Sequence, residues 1–322
     1  MTGREFRDAG HEVHILEQGA QPGGVWVYEP RVEDDLLGLN PTAPVYSSIY
    51  HNLRTNLPSD LMAFLDYPFD ERGGGQSDWP RFPHHSCVLQ YLENFARDFE
   101  LAPLIRYSVK VESVLPEPGG QSWMIEGKGI EPEQFDVVAV CNGHFSKSRV
   151  IPIDGADEFL GLKLHSHNYR QPEIFKGQRV AVFGTGASGA DIVRELATEA
   201  KEVLWCGASV TSDHRRVRCL PLPNQISEQR LHFEQPLADL PVDAIIYCTG
   251  YEYDLPFLDE TLVQVNDNFV TPLYQQIIPI DWITISGGTV SPLCHAGTLV
   301  CANDRRASCI ARCADDVGEV IG

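Results

Sequence analysis

Residues 179–200 read RVAVFGTGASGADIVRELATEA: an apolar run, then Gly184, Gly186 and Gly189 at GxGxxG spacing, then Ile192, Val193, Leu196, Ala197 and Ala200 along one helical face. Strand, tight turn and helix must follow one another here, with the helix packed back on the strand. Gly184 permits the turn, Gly186 leaves the backbone open to a pyrophosphate, and Gly189 lets the helix close on the strand. The helix N-terminus then offers N–H donors to anionic oxygens, so this segment is expected to bind a dinucleotide. The next strand, 202–206, should end at a carboxylate if the ligand carries a free ribose 2′-hydroxyl, but Gly207, Ala208 and Ser209 stand there. Arg215, Arg216 and Arg218 follow and favour a 2′-phosphate, that is NADPH; the alternative is an ordinary solvated basic loop.

A second such unit is partly present. GHEVHILEQG opens with a helix end and a strand, 13–16, that runs into the carboxylate of Glu17. An acidic ribose reader lies about 20 residues beyond the first strand of such a unit, and only sixteen residues precede Glu17. The first strand and glycine turn are therefore expected to be missing, and residues 2–9 to be the tail of the helix after that turn. Residues 29–83, rich in Pro, Gly and polar residues, are expected to be loops and short elements. From Ser86 as N-cap, Val88, Leu89, Leu92, Phe95, Ala96 and Phe99 mark a helix with one buried face. Strands are expected at 107–114 and 123–125. DVVAVCNGH at 136–144 then recurs as DAIIYCTGY at 243–251, each an apolar strand ending in a glycine turn, at Gly143 and Gly250.

The net charge of -20 opposes a phosphate-backbone partner, so nucleic acid is not expected. No apolar run reaches the ~18 residues of a membrane span, and the chain reads as soluble and cytoplasmic. Of nine cysteines, Cys87, Cys141, Cys206, Cys219 and Cys248 are scattered, as reduced thiols usually are. Cys294, Cys301, Cys309 and Cys313 crowd the C-terminus without a CxxC pair, and no metal site is expected.

Just before the complete glycine turn, FLGLKLHSHNYR sets Phe159, Gly161, His165 and Tyr169 in the spacing FxGxxxHxxxY. With GGVWVY at 23–28, SSIYHNLRTNLPSDLMAFLDYPF at 47–69 and IIYCTGYEYDLPFL at 245–258, the chain resembles the flavin-containing monooxygenase family over most of its length. The wording of SSIY, LRTN and HSHNYR is most similar to the plant-type branch that oxygenates sulfur. Baeyer–Villiger relatives carry Trp where Tyr169 stands. Residues after about 292 do not resemble the family's closing section.

The resemblance implies an α/β protein with two Rossmann-like dinucleotide-binding domains: an incomplete FAD domain, 1–154 and 240–322, with an NADPH domain, 155–239, inserted. It implies a monooxygenase that uses FAD, NADPH and O2 on nitrogen or sulfur in a small molecule. Asn56 is the expected catalytic residue beside the flavin, its amide giving donor and acceptor without a titrating charge. Thr55 would neighbour the nicotinamide nucleotide, Glu17 the adenosine ribose of FAD, and Gly24 and Trp26 the flavin. Val111, Ser188, Asp191, Thr249 and Gly250 join the three glycines as cofactor-binding positions. His165 and His167 are expected to position the linker rather than to move protons. The alternatives are a Baeyer–Villiger or N-hydroxylating monooxygenase and a non-catalytic NADPH-binding fragment, and without its first glycine turn the chain alone is expected to bind FAD poorly.

Overall fold

The computed structural model describes residues 1–119, 122–208, 210–266, 268–274, 278–279 and 298–303. Ser209, Cys294, Cys309 and Cys313 lie outside the described residues. The chain divides into two compact units, residues 1–27, 59–144 and 253–322 in the first and residues 28–58 and 145–252 in the second. These cuts differ from the expected ones: residues 28–58, placed by sequence with the flavin portion, and the strand at 244–247 both belong to the second unit.

In the first unit, helix α1 (Thr2–Asp8) precedes strand β1 (Glu12–Glu17), as the apolar spacing predicts. Helix α2 (His85–Asp98) starts two residues earlier than the expected cap at Ser86 implies. His84, not Ser86, is its cap, because the imidazole accepts the N–H of Ser86. Val88 and Phe95 of the expected stripe are buried against Tyr67 and Phe69, with Leu92, Ala96 and Phe99 partly buried on the same core, which also takes Tyr91. Strand β2 (Ile105–Tyr107) lies parallel to β1. Ser108, with a left-handed φ of 59, separates β2 from β3 (Lys110–Pro116), which splits the single strand expected at 107–114. Strand β3 pairs antiparallel with β4 (Trp123–Lys128), and β4 with β5 (Ile130–Phe135), over a core of Val114, Ile125 and Phe135.

Strand β6 (Val137–Cys141) completes the first unit's main sheet. Between β1 and β6 runs the strand Thr298–Asn303, antiparallel to both. Each of β1 and β6 thus has one edge paired by this strand, which satisfies backbone groups that an open edge would leave without partners.

The second unit is built on a five-stranded parallel sheet. Strand β7 (Leu162–His165) lies at one edge, followed in sequence by β8 (Arg179–Phe183), helix α3 (Ala187–Glu199), β9 (Glu202–Cys206) and β10 (Val217–Leu220) at the other edge. A strand of the repeat, β11 (Ala244–Tyr247), sits between β7 and β8. All of Val180, Val182, Val203 and Ile246 are buried, as the continuous apolar runs of a parallel sheet covered on both faces require. Ile192, Val193 and Leu196 of α3 pack on that sheet, each stabilising by about 1.5–3 kcal/mol.

Residues 28–58 join this unit through buried polar bonds. Arg170, at the end of the FxGxxxHxxxY segment, donates to the carbonyls of Glu29, Arg31, Ser47, His167 and Tyr169. The buried Glu33 carboxylate accepts from the Val45 N–H at 3.0 Å and the Asn168 amide at 3.1 Å. Leaving either charge unpaired in this interior would cost several kcal/mol, so the segment is tied down.

Candidate functional site

In the second unit the three glycines of the turn have separate duties. Gly184 has φ +117, and a Cβ there would stand 2.2 Å from the Cys248 carbonyl oxygen. At Gly189 a Cβ would meet the Gly184 carbonyl oxygen at 2.4 Å, so this glycine lets helix and turn touch. Gly186 is different: a Cβ there has nothing within 4 Å. It is the N-cap of α3 and brings no side chain to the first-turn N–H groups. Open space in front of a helix N-terminus suits an anionic phosphate, and the residues present fit a dinucleotide pyrophosphate.

Around this turn the fold gathers several of the expected residues. Cys248, against which Gly184 packs, leads directly into Thr249 and Gly250, whose φ is +86. The Thr249 hydroxyl and the Gly250 carbonyl are held by the backbone of Arg149. Ser188 and Asp191 lie in the first turns of α3. Trp205, which the sequence reading did not single out, donates its indole N–H to the Gly184 carbonyl at 2.9 Å. Its only sequence signal is an aromatic one position before the end of the second strand.

The arginines answer the 2′-phosphate expectation unevenly. Arg216 spends its guanidinium on the carbonyls of Ala197, Thr198 and Ala200, closing the C-terminus of α3. Arg218 stands 3.5 Å from the Glu202 carboxylate. Arg215 is exposed.

The same unit carries Thr55 and Asn56. Thr55 is buried and its hydroxyl donates to the Leu57 carbonyl at 2.7 Å, which shapes the turn, whereas Asn56 is exposed. His165 and His167 are fully buried. His165 Nδ1 accepts the His167 N–H at 3.1 Å, and burial, with His167 beside it, lowers its pKa from 6.5 to about 4. His167 Nδ1 lies 2.7 Å from the Ser48 hydroxyl, and its Nε2 lies 3.4 Å from Glu33.

The first unit holds the other expected residues. Glu17 is buried at the C-terminal end of β1, where Oε1 accepts the Gly19 N–H at 2.6 Å. Gly24 and Trp26 form a short 3-10 turn, with Trp26 partly buried beside the α2 core. Val111 is half-buried on β3 where the pairing with β4 shifts register.

A profile described as flavin-binding monooxygenase-like matches residues 6–217 and 215–313. The chain belongs to this family. Flavin-containing monooxygenase FMO GS-OX-like 2 of Arabidopsis thaliana is 42% identical over 297 residues, covering 87% of this chain and 64% of its own length. FMO GS-OX5 of the same plant is 40% identical over 296 residues, with 87% and 64% covered. The chain thus spans just under two thirds of these relatives. Among solved structures, the S-allyl-L-cysteine S-oxygenase of Allium sativum superposes with a TM-score of 0.78 at 39% identity, covering 86% of this chain and 66% of that one. Tmm from Pelagibacter sp., at 23% identity and a TM-score of 0.73, shares the fold. Within this monooxygenase family the mixed α/β architecture and the parallel nucleotide sheet are as the sequence predicts. Among the described residues no helix is long and apolar enough to cross a membrane.

Proposed function

We propose that this chain carries flavin- and NADPH-dependent monooxygenase chemistry, using O2 to oxygenate soft sulfur or nitrogen in small molecules. The observation that carries the reading is the open Gly186 in front of α3, in a turn whose Gly184 packs on Cys248, the residue before Thr249 and Gly250, in a chain of this family. Similarity to the plant GS-OX enzymes and to an S-oxygenase of a cysteine thioether favours sulfur.

When bound, the nicotinamide supplies hydride and the flavin activates O2 for transfer of one oxygen atom. The protein's part is to bind and orient. The backbone at Gly184, Gly186, Ser188 and Gly189 takes the NADPH pyrophosphate, with Thr249 and Gly250 alongside. Arg215 is the arginine left to meet a 2′-phosphate, since Arg216 and Arg218 are engaged. Glu17, fixed by the Gly19 amide, takes a ribose hydroxyl of FAD through a charge-assisted hydrogen bond, and Gly24, Trp26 and Val111 line the flavin. Asn56 presents an uncharged amide to the reacting groups, and Thr55 holds its turn. The scattered free cysteines support a cytoplasmic location.

The test is a titration of the full chain with NADP+, followed by NADPH-dependent transfer of labelled oxygen from 18O2 to a small thioether in the presence of FAD. Labelled sulfoxide supports the reading. Absence of NADP+ binding at millimolar concentration overturns it.

A further inference from the structure

Asp191 sits one turn into α3, where a free carboxylate would repel the phosphates expected at the helix N-terminus. It is not free. The Tyr50 hydroxyl donates to Oδ2, and Arg194 reaches Oδ1 at 2.5 Å. Tyr50 belongs to residues 47–58, the segment that also carries Thr55 and Asn56, and is 141 positions from Asp191 in sequence.

The Tyr50 ring is buried in the core formed by Ile192, Val193 and Leu196 of α3. It meets the Tyr169 ring edge-on, with centroids 5.5 Å apart. Tyr169 in turn donates its hydroxyl to Glu195 at 2.8 Å. Two carboxylates four residues apart on α3 therefore receive two tyrosines, one from the Asn56 segment and one from the FxGxxxHxxxY segment. Beyond Tyr50 the chain turns at once: the Leu53 N–H donates to the Tyr50 carbonyl at 3.0 Å, and Leu53 packs on the same core. Asn56 follows three residues later, exposed.

We propose that Asp191 and Tyr50 are positioning residues: their hydrogen bond fastens the Asn56 turn to the helix whose N-terminus receives the dinucleotide. Asp191, carried over from the family as a cofactor contact, acts through Tyr50 and not on the cofactor. The turn is thereby held in register with the nucleotide, so that Asn56 meets the nicotinamide end of a ligand whose pyrophosphate is fixed by α3. What Asn56 faces rests on the proposed function; the clamp itself does not.

The test uses the full chain and Tyr50→Phe, which keeps the buried ring, with Asp191→Ala and the double variant. Backbone hydrogen exchange without ligand should quicken about tenfold at residues 51–57 in each variant, the effect of one lost hydrogen bond to a charged group. Exchange at 179–183 and 202–206 should not change. The double variant should be no faster than Asp191→Ala, because both changes remove the same bond. In ligand titrations, Tyr50→Phe should weaken NADP+ about fivefold and 2′-phospho-ADP-ribose, which lacks the nicotinamide, less than twofold. Asp191→Asn, whose amide oxygen still accepts from Tyr50, should restore the slow exchange. Unchanged exchange at 51–57 overturns the clamp. Equal weakening of both ligands, with faster exchange throughout 179–206, shows a structural bond only and also overturns the positioning role. A native chain that binds neither ligand sinks the proposed function, and the exchange measurements still decide the clamp.

Discussion

Trp205 donates its indole N–H to the carbonyl of Gly184, 2.9 Å away across adjacent parallel strands. The bond fixes the peptide that starts the glycine turn, so the turn's shape depends on the strand after the helix as well as on its own glycines. Trp205→Phe keeps most of the packing and removes the donor. We expect a loss of about 1 kcal/mol in unfolding free energy and roughly fivefold weaker NADP+ binding, measured by thermal unfolding and calorimetric titration.

Gly184 and Gly186 should fail in different ways. Gly184→Ala forces a Cβ to within 2.2 Å of the Cys248 carbonyl oxygen at φ +117, and should destabilise the fold by more than about 2 kcal/mol. Gly186→Val enters open space on the nucleotide side, so unfolding should change little while NADP+ affinity falls at least about tenfold. Circular dichroism melts paired with NADP+ titrations separate the two outcomes.

The basic loop should divide likewise. Arg216→Ala removes donors from the last carbonyls of α3 and should cost about 1 kcal/mol of stability, with the ratio of NADP+ to NAD+ affinity unchanged. Arg215→Ala should leave stability within about 0.5 kcal/mol and lower that ratio. An unchanged ratio in Arg215→Ala would remove Arg215 from 2′-phosphate recognition.

His165 makes stability depend on pH. Burial holds its imidazole neutral, with the folded pKa about 4 against 6.5 for the free group. A depressed folded value means the native state binds fewer protons than the unfolded chain, so this contribution is present above pH 6.5 and lost as pH falls toward 4. The loss should be on the order of 3 kcal/mol. His165→Asn, which keeps an acceptor for the His167 N–H, should flatten the stability profile between those limits in denaturant titrations.

Sequence alone determined the nucleotide unit from residue 179 to residue 206, because strand, turn and helix are contiguous and each has a local signature: an apolar run, glycine spacing, a 3.6-residue stripe. It also determined the strand that ends at Glu17 and, through the FxGxxxHxxxY spacing around Tyr169, the family. Only the tertiary structure decided the rest. It put residues 28–58 with the nucleotide unit, through Arg170 and the Glu33–Asn168 bond across 135 positions. It set Thr298–Asn303 antiparallel between β1 and β6, gave Arg216 to a helix end, and brought Trp205 to Gly184 and Tyr50 to Asp191. A buried donor takes whichever acceptor the packed fold brings within about 3 Å, and partners far apart in the chain leave no periodic mark in the sequence.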